Sequence, residues 1–79
     1  MTWNESDGAL HAVLTFADFA EAFAFMTRVG LVAQEQGHHP DLSISWNEVT
    51  IAITTHDAGN TVTDHDRKLA AAIDAMIAP

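Results

Sequence analysis

The sequence predicts an α+β fold, an antiparallel four-stranded sheet with helices packed on one face, in the element order ββαββα. Short segments with alternating apolar residues occur in pairs, as in β-hairpins, and longer segments with helical spacing separate and follow them. Strands gathered into hairpins, with helices between them, favour one antiparallel sheet whose helices lie on a single side. We treat residues 1–79 as one domain, because a chain this short can build only one small core.

The first half of the chain predicts two strands and a long helix. Residues 3–8 form a strand or an arm with a turn at Asp7-Gly8, and residues 10–16 alternate as a half-buried strand does. Residues from 16 or 17 to about 36 predict the helix, and Asp18 is placed to cap its first turn. Apolar residues at helical spacing predict the stripe that faces the core, namely Phe16, Phe19, Phe23, Met26 and Gly30.

The second half predicts a hairpin and a final helix. Gly37 ends the long helix, and Pro40 prevents its continuation. Residues 42–46 and 49–54 alternate, with a tight connection at Asn47-Glu48. A helix then runs from about Thr63 to Ala78, with its inward face formed by Leu69, Ile73 and Met76 or Ile77.

Composition excludes some functions and favours self-association. Three basic residues against eleven acidic ones give a net charge of −8, so direct nucleic-acid binding, which needs Lys and Arg at phosphates, is not expected. No run approaches the roughly 18 apolar residues of a membrane span, and the N-terminus lacks a signal-peptide pattern, so we expect a cytoplasmic location.

Without cysteine no disulfide can support the small core, and we therefore expect an oligomer. Phe25 and Leu31 lie off the predicted stripe and indicate a second apolar face, which could contact a neighbouring subunit.

Three of the five histidines lie at predicted boundaries of secondary structure. His38 and His39 follow the long helix, and His56 ends the last strand. A helix end and a strand end can meet at one rim of such a fold, where functional sites commonly lie. Imidazole both donates and accepts protons near neutral pH. A cluster of imidazoles could therefore catalyse a dehydration, in which a hydroxyl leaves as water while a second proton is removed.

Other interpretations of these residues stay open. Each histidine could be a hydrogen-bonded surface residue, and three together could bind zinc, although no His-x-x-His or His-x-x-x-His pair accompanies them. Residues 63–66 resemble a capping box, so Asp66 could serve the start of the last helix and not catalysis. His11 and His65 belong to no constellation, and we expect them to be solvated.

Taken together, residues 3–75 resemble the pterin-4a-carbinolamine dehydratase family. The resemblance depends on the order and spacing of His38-His39-Pro40, an aromatic residue at Trp46, Thr55-His56 and Asp66. It implies a four-stranded sheet with helices on one side and the dehydration of 4a-hydroxytetrahydropterin to quinonoid dihydropterin, in tetrahydrobiopterin recycling, without metal or cofactor. It also implies a homodimer, or a tetramer, in which edge strands pair across two subunits.

The resemblance further implies where the pterin binds: His38, His39, Pro40, Thr55, His56, Asp57 and Ala58. We assign His38 and His56 to proton transfer and His39 to holding the substrate with its hydroxyl. Asp66 matches the family's aspartate and would orient or polarise an imidazole.

The sequence departs from the family pattern at three points. It lacks the family's N-terminal helical segment, which bears on the tetramer more than on the site. Gln34 lies four residues before His38, where many members carry a carboxylate that supports the first histidine. Glutamine cannot stabilise a positive charge on an imidazole, so we expect His38 to be a weaker base. The loop from His56 to Asp66 is one residue longer than in vertebrate members, and Gly59-Asn60 could absorb the insertion.

A protein-binding role is the alternative function. Some members of the family act as partners, as a coactivator of a homeodomain transcription factor or as an assembly chaperone for Rubisco. Such a role needs an exposed helix face or sheet surface and no histidine cluster. The retained histidines and Asp66 favour the enzyme, whereas Gln34 and the short N-terminus favour the partner.

Overall fold

The computed structural model describes residues 2–77 and consists of one antiparallel sheet with two α-helices. The strands are β1 (Asn4–Ser6), β2 (Ala9–Thr15), β3 (Asp41–Ser45) and β4 (Glu48–Ile53), and the helices are α1 (Phe19–Gln36) and α2 (Asp64–Ile77). The sheet order is β1-β2-β4-β3. The predicted α+β class and element order are confirmed, and the predicted helix end at Ala78 lies outside the described residues. Neither helix is long and apolar enough to cross a membrane within residues 2–77.

The two central strands bury one face of the sheet. Their apolar residues alternate with outward-facing ones, because successive side chains of a strand point to opposite faces. On the outer face, Val13 is 61% exposed. On the inner face, the strands contribute Leu10, Ala12, Val49, Ile51 and Ile53 to the core. From α2, Leu69 and Ile73 complete this core as predicted, and Met76 packs at its edge.

The core-facing side of α1 differs from the predicted stripe. The helix buries Ala22, Phe25, Val29 and Ala33. Phe19 and Phe23 are instead about half exposed and stack on each other, with ring centroids 5.7 Å apart. Two apolar stripes run along this helix, and helical spacing alone does not select between them. The stripe with two alanines lets the helix lie close to the sheet, and it places the Phe25 ring 5.0 Å from that of Phe16.

Both ends of α1 are capped by the residues that the sequence predicts. The Asp18 carboxylate accepts a hydrogen bond from the Glu21 N–H at 2.9 Å. At the other end, Gly37 adopts the left-handed conformation with φ 65°. The Gly37 N–H donates to the Gln34 carbonyl and the His38 N–H to the Ala33 carbonyl, both at 3.1 Å, as in a Schellman motif. This turn places His38 directly beyond the last turn of α1.

The predicted position of Trp46 within the third strand is wrong. Ser45 pairs with Glu48, which leaves a two-residue turn in which Trp46 has φ 49° and is 65% exposed. Asn47 explains this register. Its side-chain amide donates to the Phe16 carbonyl at 2.9 Å, and its own carbonyl accepts from the Phe16 N–H at 2.8 Å. The turn is thereby tied to the end of β2.

The turn between β1 and β2 supports the loop that follows β4. Gly8 has φ 75°, and a Cβ at this position would overlap the carbonyl oxygen of Asn60. The Thr54 hydroxyl donates to the Gly8 carbonyl at 2.7 Å. Only glycine therefore fits both the conformation and the space.

We expect Gly8→Ala to lower the free energy of unfolding by about 1–3 kcal/mol, because it adds backbone strain and a steric overlap. Gly30→Ala is the matched control. Gly30 lies in the middle of α1, where an added Cβ would have no atom within 4 Å, so the substitution should raise the free energy of unfolding by up to about 1 kcal/mol. Urea unfolding measures both changes. A Gly8→Ala protein as stable as the wild type would contradict this description of the turn.

Candidate active site

The three predicted histidines line one pocket. His38 and His39 directly follow α1, and His56 begins a short 3-10 helix that lies two residues beyond β4. The pocket has a volume of about 210 Å³ and is lined by Gly37, His38, His39, Thr54, Thr55, His56 and Asp57. The structure thus brings the end of the long helix and the end of the last strand to the same rim.

Asp66, in the first turn of α2, is fully buried and links three elements. Its Oδ1 accepts a hydrogen bond from His38 Nε2 at 2.5 Å. Its Oδ2 accepts from the Thr55 hydroxyl and from the Thr63 N–H, each at 2.7 Å. A buried charge is costly unless it is paired and hydrogen-bonded, and these three donors meet that requirement. One carboxylate therefore joins the end of α1, the end of β4 and the start of α2.

The two interpretations of Asp66 from the sequence are compatible, because they use different oxygens. Oδ2 reaches back to the N–H of Thr63, the residue that precedes α2, as the acidic residue of a capping box does. Oδ1 is left for His38. The Thr55 hydroxyl donates its single proton to Asp66 at 2.7 Å. The Thr63 hydroxyl can then donate to Thr55 at 2.7 Å, which is a shorter contact than its 3.4 Å approach to Asp66 Oδ2. The start of α2 is thus built into the site.

The pKa of Asp66 reflects opposing effects. Burial is the largest influence, and by itself it would raise the pKa. The hydrogen bonds from His38, the Thr63 N–H and Thr55, together with a positive charge on His38, outweigh burial and hold the pKa of Asp66 below its usual value of 3.8. Asp66 is therefore ionised at neutral pH, and it presents a fixed negative charge to His38.

Gln34 contacts a different histidine from the one predicted. Its side-chain oxygen accepts from His39 Nε2 at 2.8 Å, whereas His38 is bound by Asp66. The prediction assumed that the helix continues through His38, but the left-handed turn at Gly37 redirects the chain. The residue four positions back is then no longer on the same face. The buried carboxylate, and not Gln34, supplies the charge beside His38.

His56 is held by the loop in which it lies. Its Nδ1 faces the side-chain oxygen of Asn60 at 2.8 Å. The Thr55 carbonyl closes the loop by accepting from the N–H groups of Ala58 and Asn60, at 3.2 and 3.1 Å. Gly59 provides the left-handed residue that the turn requires, with φ 77°. The loop therefore fixes both the backbone and the ring of His56.

Two residues of the predicted substrate site do not line the pocket, and one contact of the site was not predicted. Pro40 and Ala58 are not among the residues that line the pocket. The ring of His65, predicted to be solvated, is exposed but also lies 5.7 Å from that of His38 between centroids. Its place next to Asp66 in the sequence is the signal that could have indicated this contact. No group of three or more histidine and carboxylate side chains within residues 2–77 is arranged to hold a metal ion.

Comparisons with known proteins agree with the fold and with the family that the sequence resembles. The chain matches the family described as pterin 4 alpha carbinolamine dehydratase over residues 1–76, and it belongs to that family. A relative from Rhizorhabdus wittichii, named "Putative pterin-4-alpha-carbinolamine dehydratase", is 49% identical in an alignment of 76 residues that covers 94% of this chain and 77% of the relative. A relative of the same name from a Synechococcus species is 49% identical over 74 residues, 94% of this chain and 78% of the relative.

Two solved structures share the fold. A transcriptional coactivator/pterin dehydratase from Brucella melitensis superposes with a TM-score of 0.86 at 33% identity, over 96% of this chain and 82% of that one. A pterin dehydratase-like protein identified as a RuBisCO assembly factor in the alpha-carboxysome superposes with a TM-score of 0.74 at 21% identity, over 94% and 84% of the two chains. The second likeness concerns the fold alone.

We expect Asp66→Asn to lower the free energy of unfolding at neutral pH by about 1–3 kcal/mol. The substitution replaces one carboxylate oxygen by an NH2 group, which would face a hydrogen-bond donor that faces an oxygen in the wild type. The pKa of Asp66 is lower in the folded chain than in the unfolded one. Its stabilising contribution is therefore complete above the unfolded value near 3.8 and is lost as the pH falls through the folded value. The difference between the two proteins should shrink over that acidic range.

Urea unfolding at neutral pH and at several acidic values measures this difference. Asp64→Asn is the matched control, since Asp64 is exposed in the same helical turn and contributes chiefly through the helix dipole, by less than about 1 kcal/mol. Equal losses for the two variants would contradict the role of Asp66.

Proposed function

We propose that the protein dehydrates 4a-hydroxytetrahydropterin to quinonoid dihydropterin, in tetrahydrobiopterin recycling in the cytoplasm. The observation that carries the proposal is the meeting of three imidazoles at one pocket, with one of them bound to a buried, ionised carboxylate. The substrate class is supported by membership of the family. The pocket is open and of a size that suits one face of a flat bicyclic ring.

The reaction requires two proton transfers and no redox partner. The bond between C4a and the hydroxyl oxygen breaks, the N5–H bond breaks, and a C4a=N5 double bond forms. An imidazolium donates its proton to the departing hydroxyl, which leaves as water. A neutral imidazole takes the N5 proton. The two imidazoles thereby exchange protonation states, and proton exchange with solvent restores them. Positioned groups of this kind typically contribute about 10²–10⁴-fold each.

The partners of the histidines differ in a way that suits different roles. His38 donates Nε2–H to the ionised Asp66, which fixes the orientation and tautomer of this ring, as in a carboxylate–histidine pair of a catalytic triad. We assign His38 to proton transfer with Asp66 as its positioning residue. His56, whose partner is a neutral amide, is assigned as the other proton-transfer group. His39 is assigned to hold the substrate with its hydroxyl.

The remaining residues of the proposed substrate site contribute in different ways. Thr55 and Asp57 line the pocket, but the one hydroxyl proton of Thr55 is donated to Asp66. Thr55 therefore acts on the site mainly by positioning that carboxylate. Pro40 and Ala58 flank the pocket in the chain, and we propose that they shape its rim.

We expect His38→Ala and His56→Ala each to lower the dehydration rate by about 10²–10⁴-fold, because each removes a proton-transfer group. A stopped-flow assay with freshly prepared 4a-hydroxytetrahydropterin, corrected for the uncatalysed rate, measures the change. His11→Ala is the control, since His11 lies on β2 and contacts the Ser6 carbonyl, and its rate should equal that of the wild type. Wild-type rates for both pocket variants would show that the assignment is wrong.

We also propose that the protein forms a homodimer. β3 lies at one edge of the sheet, and an exposed strand edge presents unpaired N–H and C=O groups that favour pairing with another chain. Light scattering should give a mass near twice the 8.5 kDa of one chain. A monomeric mass at high protein concentration would refute the dimer, and a mass near four times that of one chain would indicate the tetramer.

A protein-binding role is the second candidate, and one observation favours it. Phe19 and Phe23 stack in solvent at the start of α1, at the opposite end of that helix from His38. Exposed aromatic residues that adjoin one another commonly mark binding surfaces. A wild-type protein that did not accelerate dehydration would favour this candidate over the enzyme.

A further inference from the structure

Asn60, in the loop after β4, is held by two contacts, one within its own loop and one with the turn between β1 and β2. Asn60 has φ 58°, a left-handed conformation that asparagine tolerates better than most residues. Its N–H donates to the Thr55 carbonyl at 3.1 Å. Its own carbonyl lies against Gly8, so closely that a side chain at Gly8 would displace it. With its backbone held in this way, Asn60 presents its side-chain oxygen to His56 at 2.8 Å.

We propose that Asn60 is a positioning residue that holds His56 as the tautomer protonated on Nδ1 and so leaves the Nε2 lone pair available in the pocket. A carbonyl oxygen can only accept, so the ring nitrogen that faces it must carry the hydrogen. Because the amide is neutral, Asn60 selects a tautomer without adding charge. The Asp66–His38 pair differs, since there the partner is an ionised carboxylate.

The catalytic consequence rests on the proposed function. His56 can take the N5 proton of a pterin only through a nitrogen that has a free lone pair. In the other tautomer that lone pair would lie on Nδ1, the nitrogen that faces Asn60. The contact is exposed to solvent, so water competes with it. A hydrogen bond of ordinary net strength should shift the tautomer ratio by about two- to tenfold.

This role also gives the turn between β1 and β2 a connection to the site. Gly8 supports the carbonyl of Asn60, and Thr54 binds the carbonyl of Gly8 at 2.7 Å. Thr54 itself lines the pocket. A hairpin turn that does not line the pocket therefore helps to fix the orientation of a proposed catalytic ring.

The test compares three variants of the full chain. Asn60→Gly removes the acceptor and keeps the left-handed backbone without strain. Asn60→Asp keeps an acceptor oxygen at the same distance from the backbone. Thr61→Val is the matched control, because it removes the Thr61 hydroxyl bond to the Ala58 carbonyl, in the same loop, and leaves the ring of His56 untouched.

The measurement is the tautomer of His56, read from the nitrogen-15 chemical shifts of its ring at an alkaline pH at which the imidazoles are neutral. Wild type, Asn60→Asp and Thr61→Val should show hydrogen on Nδ1. Asn60→Gly should shift the ratio toward hydrogen on Nε2 by about two- to tenfold and lower kcat by a similar factor. Asn60→Asp should retain most of the wild-type kcat.

A wild-type His56 protonated on Nε2, or an Asn60→Gly protein with an unchanged tautomer, would overturn the inference. A fall in activity without a change of tautomer would overturn it as well, since that result indicates a merely structural role. If the tautomer shifts as expected but the wild type does not dehydrate the pterin, the role of Asn60 stands and the proposed function fails. The two conclusions are therefore tested separately.

Discussion

The buried carboxylate of Asp66 is the contact on which the arrangement of the site depends. It is fully inaccessible to solvent and accepts hydrogen bonds from His38 at the end of α1, Thr55 beyond β4 and Thr63 before α2. An unpaired charge at this depth would be strongly unfavourable. The three segments must therefore meet for the chain to fold around it, and the same meeting forms the pocket.

The pocket histidines are alike in chemistry but not in environment. Among the contacts within residues 2–77, His38 has an ionised partner, whereas His39 and His56 face the neutral amides of Gln34 and Asn60. Groups of one residue type can take different roles in proton transfer when their hydrogen-bond partners differ. The difference between the three histidines thus comes from the residues that bind them, which are Asp66, Gln34 and Asn60.

The fold was largely predictable from the sequence, and the two predictions that were wrong have a common cause. Alternation on the central strands and the signals at Asp18 and Gly37 are local features, and the structure reproduces them. The core stripe of α1 and the position of Trp46 depended on longer-range partners. Phe25 is buried because its stripe fits the sheet, and Trp46 lies in a turn because Asn47 binds the end of β2. The spacing of apolar residues in the sequence specifies neither of these contacts.

The sequence by itself determined the element order, the two caps of α1 and the three histidines at element boundaries, because spacing and capping preferences act within a few residues. Only the tertiary structure decided the partner of each imidazole. Helical spacing predicts that Gln34 lies beside His38, but Gln34 binds His39, since the turn at Gly37 breaks the helical geometry. Asn60 gained a contact with His56 through the closure of its loop. Side-chain hydrogen bonds depend on angles and on distances of a few ångströms, and linear spacing does not specify them once a helix ends or a loop closes.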